Sequence, residues 1–368
     1  MENVQKDSLL LFPCPGCNAQ LYFNPEHQKL ECKYCGTQVA IDQASNQIRE
    51  KSLKQQLSVT GDPDAAIEQL VHKCERCGSE SVFISETPTF TCSFCNFEVV
   101  NPVAYKTRII QPSGIIPFKV DKEQSVTIFK KWLGKGWWAP GDLKEFARQD
   151  ALHGTYLPFW TYDAQTFSEW TGEGGRHYYV TVEERDSNGN TTTRQEQRTE
   201  WIYRSGTYNT TFDDLLIGGA DELTQKEYES IFPFQLEELV NFDARYLSGF
   251  SADVYDISVA DGYAKAEKIM EQEIYDACVD ECRIDTYRNV QVSTSYENQT
   301  YKHILLPLWV CSYKYKSKQY HFLVNGQTGK IYGSKPVSTA KVVLTVIVVL
   351  IIIIVIYFLS QQQTPQQP

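Results

Sequence analysis

Eight cysteines in two matched quartets constrain this chain more than any other feature. Cys14-Pro-Gly-Cys17 is followed, after fourteen residues, by Cys32-Lys-Tyr-Cys35. Cys74-Glu-Arg-Cys77 is followed, after the same fourteen, by Cys92-Ser-Phe-Cys95. Every position of the second quartet lies 60 residues after its counterpart, which makes an internal repeat. Two cysteines three apart on a tight turn aim both sulfurs at one ion, and C-x2-C pairs at this separation are a zinc signature. Four thiolates fill a tetrahedron and leave no position for water. The spacing therefore predicts two structural Zn2+ ions, one on Cys14, Cys17, Cys32 and Cys35, the other on Cys74, Cys77, Cys92 and Cys95. The competing reading is an iron–sulfur or redox dithiol site. Gly16, Gly36, Gly78 and Asn96 are expected to supply the positive φ of the turns. Short β runs at 20–23, 29–31, 81–84 and 89–91 complete two zinc ribbons. Each ribbon is too small to bury a core of its own, so the metal is expected to supply its folding energy. His27 and His72 read as bystanders to complete sulfur sets.

The second constraint is the run Val342 to Leu359, 18 residues without charge, Gly or Pro. As a helix it is about 27 Å long, close to the hydrocarbon thickness of a bilayer. A buried strand is the alternative, but strands average only about 5–6 residues. Residues 340–359 are therefore expected to form one transmembrane helix, with 360–368 a disordered tail. The N-terminus shows no signal-peptide pattern. Residues 298–368 hold Lys302, Lys314, Lys316, Lys318, Lys330, Lys335 and Lys341 and no acid. Cationic flanks stay on the cytoplasmic side. The expectation is a single-pass, tail-anchored protein of the cell membrane with its N-terminal bulk in the cytoplasm. Reduced thiols in that compartment favour metal over disulfides.

Charge limits the partners. The chain carries 35 Lys and Arg against 46 Asp and Glu, a net −11; removing the +7 of residues 298–368 leaves −18 on residues 1–297. Neither ribbon is basic, so the footprint of nucleic-acid binding is missing. A cytosolic or membrane-associated protein is the favoured partner. An anionic bilayer near Lys302–Lys341 is a second, at about 1 kcal/mol per lysine.

Between ribbons and anchor the chain reads as α+β. Residues 1–40 and 71–100 are the ribbons, 41–70 a polar linker with a short helix at 44–57, and 101–336 an aromatic-rich body. In the body, 114–120 and 156–162 read as strands, and Asp121 caps a helix over 122–133. A second helical piece starts at Asp142. A long hairpin spans 172–207, turning at Asn188-Gly189, and 212–217 is a further strand. Residues 262–283 read as a long helix, and strands return from 303 to 332 around Asn325-Gly326. Leu157-Pro-Phe-Trp160 recurs as Leu306-Pro-Leu-Trp309, which suggests two α+β halves. Cys278, Cys282 and Cys311 read as core thiols. No nucleotide-binding loop, metalloprotease helix, nucleophile elbow or dinucleotide fingerprint is present. His153 and Glu183-Glu184 have no catalytic partners in sequence, so no catalytic residue is expected.

Five phrases carry a resemblance: the first cysteine quartet, Tyr156-Leu-Pro-Phe-Trp-Thr-Tyr-Asp163, Tyr246-Leu-Ser-Gly-Phe250, Leu306-Pro-Leu-Trp309 and Leu323-Val-Asn-Gly-Gln-Thr-Gly-Lys330. With them the chain resembles a bacterial family of membrane-anchored zinc-ribbon proteins, often named after the primosomal helicase for their ribbon. The helicase activity does not follow, since no nucleotide loop exists, and this chain has two ribbons where the family implies one. The likeness implies a link to phage-shock-type membrane stress. The function expected is a non-enzymatic membrane-tethered adaptor. The alternatives are a membrane-associated nucleic-acid binder, or a ligand sensor or enzyme in the aromatic body.

Overall fold

The computed structural model describes residues 12–42, 48–58, 66–82, 89–100, 104–134, 140, 152–185, 191–221, 223–315 and 318–362. Strands β1 (Leu21–Asn24), β2 (Lys29–Cys32) and β3 (Gln38–Val39) form the first ribbon. They are followed by β4 (Lys51–Ser52), α1 (Leu53–Ser58), β5 (Ala66–Lys73), β6 (Glu80–Val82), β7 (Thr89–Thr91), β8 (Glu98–Val100), β9 (Ala104–Ile110) and β10 (Gly114–Ile115). The body continues with α2 (Lys122–Leu133), β11 (Leu152–Arg185), β12 (Thr191–Gly218), α3 (Gln225–Ile231), β13 (Val240–Asn241), β14 (Ser251–Asp253) and α4 (Val259–Cys282). It closes with β15 (Thr286–Tyr315), β16 (Lys318–Asn325), β17 (Ile331–Gly333) and α5 (Thr339–Gln362). The expected Asp142 helix, the Trp137-Trp138 and Asn188-Gly189 turns and the break at Gly61-Asp62-Pro63 lie outside the described residues.

The fold class is α+β, built on one 12-stranded sheet. Several expectations change. The strand at 156–162 and the first arm of the hairpin at 172–207 are one continuous strand, β11, paired with β15 as far as Gly175 and with β12 from Phe159 to Arg185. Strand pairing ends at Ile115, where 114–120 reads as strand throughout in sequence. The linker helix covers only 53–58, and β4 and β5 are strands of the body sheet. The long helix begins at Val259, capped by Ser258 Oγ, which accepts from Asp261 N–H. Helix α2 matches its reading, with a capping box between Asp121 and Gln124. Helix α5 runs on to Gln362, so 360–362 is not tail.

The repeated Leu-Pro phrases meet. Leu157 lies opposite Leu306 in the antiparallel β11–β15 ladder. Around this point the two halves copy each other with exchanged partners. Thr155 pairs in parallel with Ser251 of β14, and Ile304 pairs in parallel with Gly114 of β10. Gly219 N–H donates to the Pro158 carbonyl, and Gly326 N–H to the Pro307 carbonyl, both at 2.9 Å. The Gly219 carbonyl accepts from Asp256 and Ile257, and the Gly326 carbonyl from Lys119 and Val120. Each half thus lends its first short strand to the other half's long strand.

Beyond the junction, β12, β11 and β15 extend as an arm that α4 covers on one face. The β11 side chains alternate, with Ala164, Thr166, Ser168 and Trp170 buried and Gln165, Phe167 and Glu169 exposed. Glycine lets the helix end approach: a Cβ at Gly174 would sit 2.5 Å from the Cys282 carbonyl oxygen. Cys278 and Cys282 are buried there against Trp170, and Cys311 is buried in the body. Past Gly175 and Thr286 only β11 and β12 continue, and their faces are largely exposed.

The phrase 323–330 is a folding device. Asn325 is fully buried; its amide donates to the Ile231 carbonyl and its oxygen accepts from the N–H groups of Gln327 and Thr328. Gln327 bridges to the Gln235 backbone and to Glu238. These polar atoms are satisfied as burial demands.

Candidate metal centres

The four C-x2-C turns are built alike. In each, the residue after the second cysteine donates its N–H to the carbonyl of the first: Asn18 to Cys14, Gly36 to Cys32 and Gly78 to Cys74 at 2.9 Å, and Asn96 to Cys92 at 3.0 Å. The first cysteine's N–H returns a bond to the carbonyl two residues past the second: Ala19, Thr37, Ser79 and Phe97. The residue after the second cysteine always has positive φ: Asn18 60°, Gly36 73°, Gly78 87° and Asn96 53°. Gly enters that region freely, and Asn more readily than most side chains. Gly16 does not belong to this set; Asn18 takes the place the sequence reading gave to it. Gly16 instead makes room, since a Cβ there would come 3.0 Å from Thr37 Oγ1. The fourfold Asn/Gly pattern was present in the sequence and marks Asn18 directly.

Both quartets close into compact sulfur clusters. Within each, all four Sγ atoms lie within 4.8 Å of one another. The pairs Cys14–Cys35, Cys17–Cys32 and Cys77–Cys92 are 3.5 Å apart, and Cys74–Cys95 is 3.6 Å. A disulfide needs about 2.05 Å, and all eight cysteines are free. Four sulfurs around an ion at about 2.3 Å sit about 3.8 Å from each other, so the clusters are metal-sized. Each has a buried side, Cys14 with Cys32 and Cys74 with Cys92, and an outer side of Cys17 with Cys35 and Cys77 with Cys95.

The surroundings split the thiols within each quartet: Cys17, Cys92 and Cys95 are pushed up by neighbouring sulfurs and burial, while one outer thiol of each is held down. The Thr37 hydroxyl, 3.1 Å from Cys35 Sγ, and then the Thr37 backbone hold that thiol down to about 6. The Cys92 side chain, with Ser79, holds Cys77 down to about 4.

The first centre is fused to the body. Cys14, Leu21, Phe23, Leu30 and Cys32 belong to the same buried cluster as Phe118, Tyr156 and Trp309. The phrase Tyr246–Phe250 makes the joint. Phe23 N–H donates to the Ser248 carbonyl, and Ser248 Oγ donates to the Leu21 carbonyl at 2.6 Å. Phe23 meets the Tyr246 ring edge-on at 5.1 Å, and Phe250 stacks on Phe118 at 4.2 Å. Gly249, at φ 96°, packs beside Tyr22.

The second ribbon is divided. The hairpin expected between 81–84 and 89–91 is not made by the described residues: β7 pairs with β8, while β6 pairs with β5 and β14. Strand β6 is instead a strand of the 12-stranded body sheet. Ser81 and Val82 ladder with Asp253 and Ala252, and Ser81 Oγ donates to Asp253 at 2.6 Å.

The described histidines lie outside both sulfur clusters. His153 Nε2 lies 2.9 Å from Asn96 Oδ1, His27 lies by Glu31 and Gln38, and His177 bonds Thr199. Glu183 and Glu184 are exposed on the arm. Lys302 is buried and pairs with Asp214 at 2.6 Å and Glu50 at 3.3 Å, so it leaves the set of lysines that could meet lipid. Lys330 donates to the Phe232 carbonyl, and Lys335 lies over the Trp132 ring at 4.0 Å. Helix α5 contains a 20-residue apolar span, Thr339–Phe358, long enough to cross a membrane and with none of it buried against the body.

No protein-family profile matches the chain, and no solved structure matches it. The chain is similar to the uncharacterized protein YdjG of Bacillus subtilis (strain 168). The two are 26% identical over 323 residues, covering 74% of this chain and 91% of that relative.

Proposed function

We propose that this chain is a membrane-tethered adaptor whose two ribbons each hold one structural Zn2+ and recruit a protein partner at the cytoplasmic face of the cell membrane. All-sulfur tetrahedral donors at this spacing fit Zn2+ by charge, softness and size. Such an ion orders the turns and leaves no open coordination position. The observation that carries the adaptor reading is the outer tip of the first ribbon. Tyr34 is 84% exposed between Cys32, which is buried in the body cluster, and the exposed Cys35. Tyrosine is enriched at protein interfaces and among the residues that carry their binding energy. Helix α5, none of whose apolar span is buried, supplies the tether, and the membrane-proximal lysines orient it. The link to membrane stress rests on the family resemblance alone.

The test is proximity labelling from the full-length protein in cells, comparing wild type with Tyr34→Ala and with Cys17→Ser/Cys35→Ser. The reading expects a discrete set of proteins lost in both variants while membrane fractionation is unchanged. Identical labelled sets in all three would contradict it.

A further inference from the structure

A cavity of about 320 Å³ lies where the base of the second ribbon meets the body. Val82 of β6, Val254 beside β14, Phe242, Leu247 and Leu305 give it mostly apolar walls, and His303 is part of its lining. His303 is buried on β15, opposite Trp160, and its ring packs 4.7 Å from the Trp160 ring and edge-on to Tyr255 at 5.4 Å. Its Nδ1 lies 2.8 Å from the Ile110 carbonyl oxygen. A carbonyl only accepts, so Nδ1 carries the hydrogen and Nε2 is a bare acceptor. Among the described residues Nε2 is buried and has no hydrogen-bond partner.

Of the other polar residues on the walls, Gln69, Gln111, Asp253 and Tyr255, the last two are engaged. The Tyr255 oxygen accepts from Ile110 N–H at 3.1 Å, and the Asp253 carboxylate accepts from Ser81 at 2.6 Å and Thr155 at 3.4 Å. Buried polar atoms are almost always satisfied, so an orphan acceptor on a ring that lines a mostly apolar space points to a donor that the described residues do not supply. The walls are mostly apolar, so a molecule with an apolar body gains more from the space than water does.

We propose that this cavity binds a small, neutral, largely apolar molecule carrying one hydrogen-bond donor, which it gives to His303 Nε2. The apolar body of the ligand fills the space among Val82, Phe242, Leu247, Val254 and Leu305. An anionic group would lose its hydration there beside the Asp253 carboxylate, with no cation among the lining residues. Burial holds the His303 imidazole well below its ordinary titration range, so at neutral pH the ring stays an acceptor. Because Val82 belongs to β6 and Leu305 to β15, a bound molecule would touch the ribbon base and the body together.

The test uses the full-length protein in lipid nanodiscs, with histidine labelled in nitrogen-15, and two probes of similar size, phenol and toluene, at free concentrations fixed by dialysis. Phenol carries the donor and toluene lacks it. Phenol should bind at least tenfold more tightly than toluene, raise the melting temperature and move the His303 Nε2 resonance. In His303→Phe the two probes should bind within a factor of two of each other. The resonance readout in wild type stands even if that variant folds poorly. Equal binding of phenol and toluene to wild type would overturn the proposal. So would an unmoved Nε2 resonance at saturating phenol, which would mean that water alone fills the space.

Discussion

Trp160 and Trp309 occupy equivalent places in the two halves of the body, and each ties down the start of a helix. Trp160 Nε1 donates to the Ile257 carbonyl at 2.9 Å, one residue before Ser258 caps α4. Trp309 Nε1 donates to the Val120 carbonyl at 2.8 Å, one residue before Asp121 caps α2. Both indoles are buried, and each sits one position past the strand site where the second hairpin partner begins, Phe159 opposite Gly218 and Leu308 opposite Asn325. The helix in question belongs each time to the other half, so these two bonds lock the halves together.

Replacing either indole by Phe removes one buried donor and leaves a carbonyl unsatisfied. Trp160→Phe and Trp309→Phe should each cost about 1–3 kcal/mol. Denaturant unfolding followed by far-UV circular dichroism measures this. A loss confined to one variant would break the equivalence.

The glycines of β11 set how closely α4 lies on the arm. Gly174→Ala places a methyl 2.5 Å from the Cys282 carbonyl oxygen, which is backbone and cannot swing aside. Overpacking of this kind costs about 1–3 kcal/mol. Hydrogen exchange should show faster opening at the C-terminal turns of α4, while the first ribbon is unchanged.

His303 makes stability depend on pH. Burial, the largest cause, pushes it from 6.5 down to about 4 in the folded state. Between those values the unfolded chain binds the extra proton, so the contribution is full above pH 6.5 and shrinks as pH falls towards 4. From pH 7 to pH 5 the loss should be about 2 kcal/mol. Comparing wild type with His303→Phe by chemical denaturation at the two pH values isolates it: the variant should lose less by about that amount.

Much of this was legible in the sequence because the signals are local. The cysteine spacing names both quartets, the capping box at Asp121 and Gln124 starts α2, and the uncharged run after Lys341 gives α5. What was not legible depends on distant partners. The residues of β11 read as two separate strands, since only β12 and β15 together keep its backbone bonded for so long. Period-2 patterning gives no hint that Gly114 will pair with Ile304, or that Ser81 will choose Asp253 over its own ribbon. The polar residues of 323–330 read as a turn, and their buried bonds to the 231–238 segment are long-range. Gly16 looked like the turn glycine because it is a glycine, yet the geometry falls on Asn18.

The two ribbons should respond differently to losing a sulfur. Cys32 shares a buried cluster with Tyr156 and Trp309, whereas Cys92 packs mainly with Cys74 and Val99. Cys32→Ser should therefore release one metal ion and also lower the melting temperature of the body. Cys92→Ser should release one ion with a smaller effect on the body. Metal content and calorimetry on the same samples check both halves.

Elemental analysis of the purified full-length protein, paired with zinc-edge X-ray absorption, addresses the central claim most directly. The account predicts two zinc ions per chain, each bound by four sulfurs at about 2.3 Å. Fewer than two equivalents, iron in place of zinc, or a shell containing oxygen or nitrogen would contradict it.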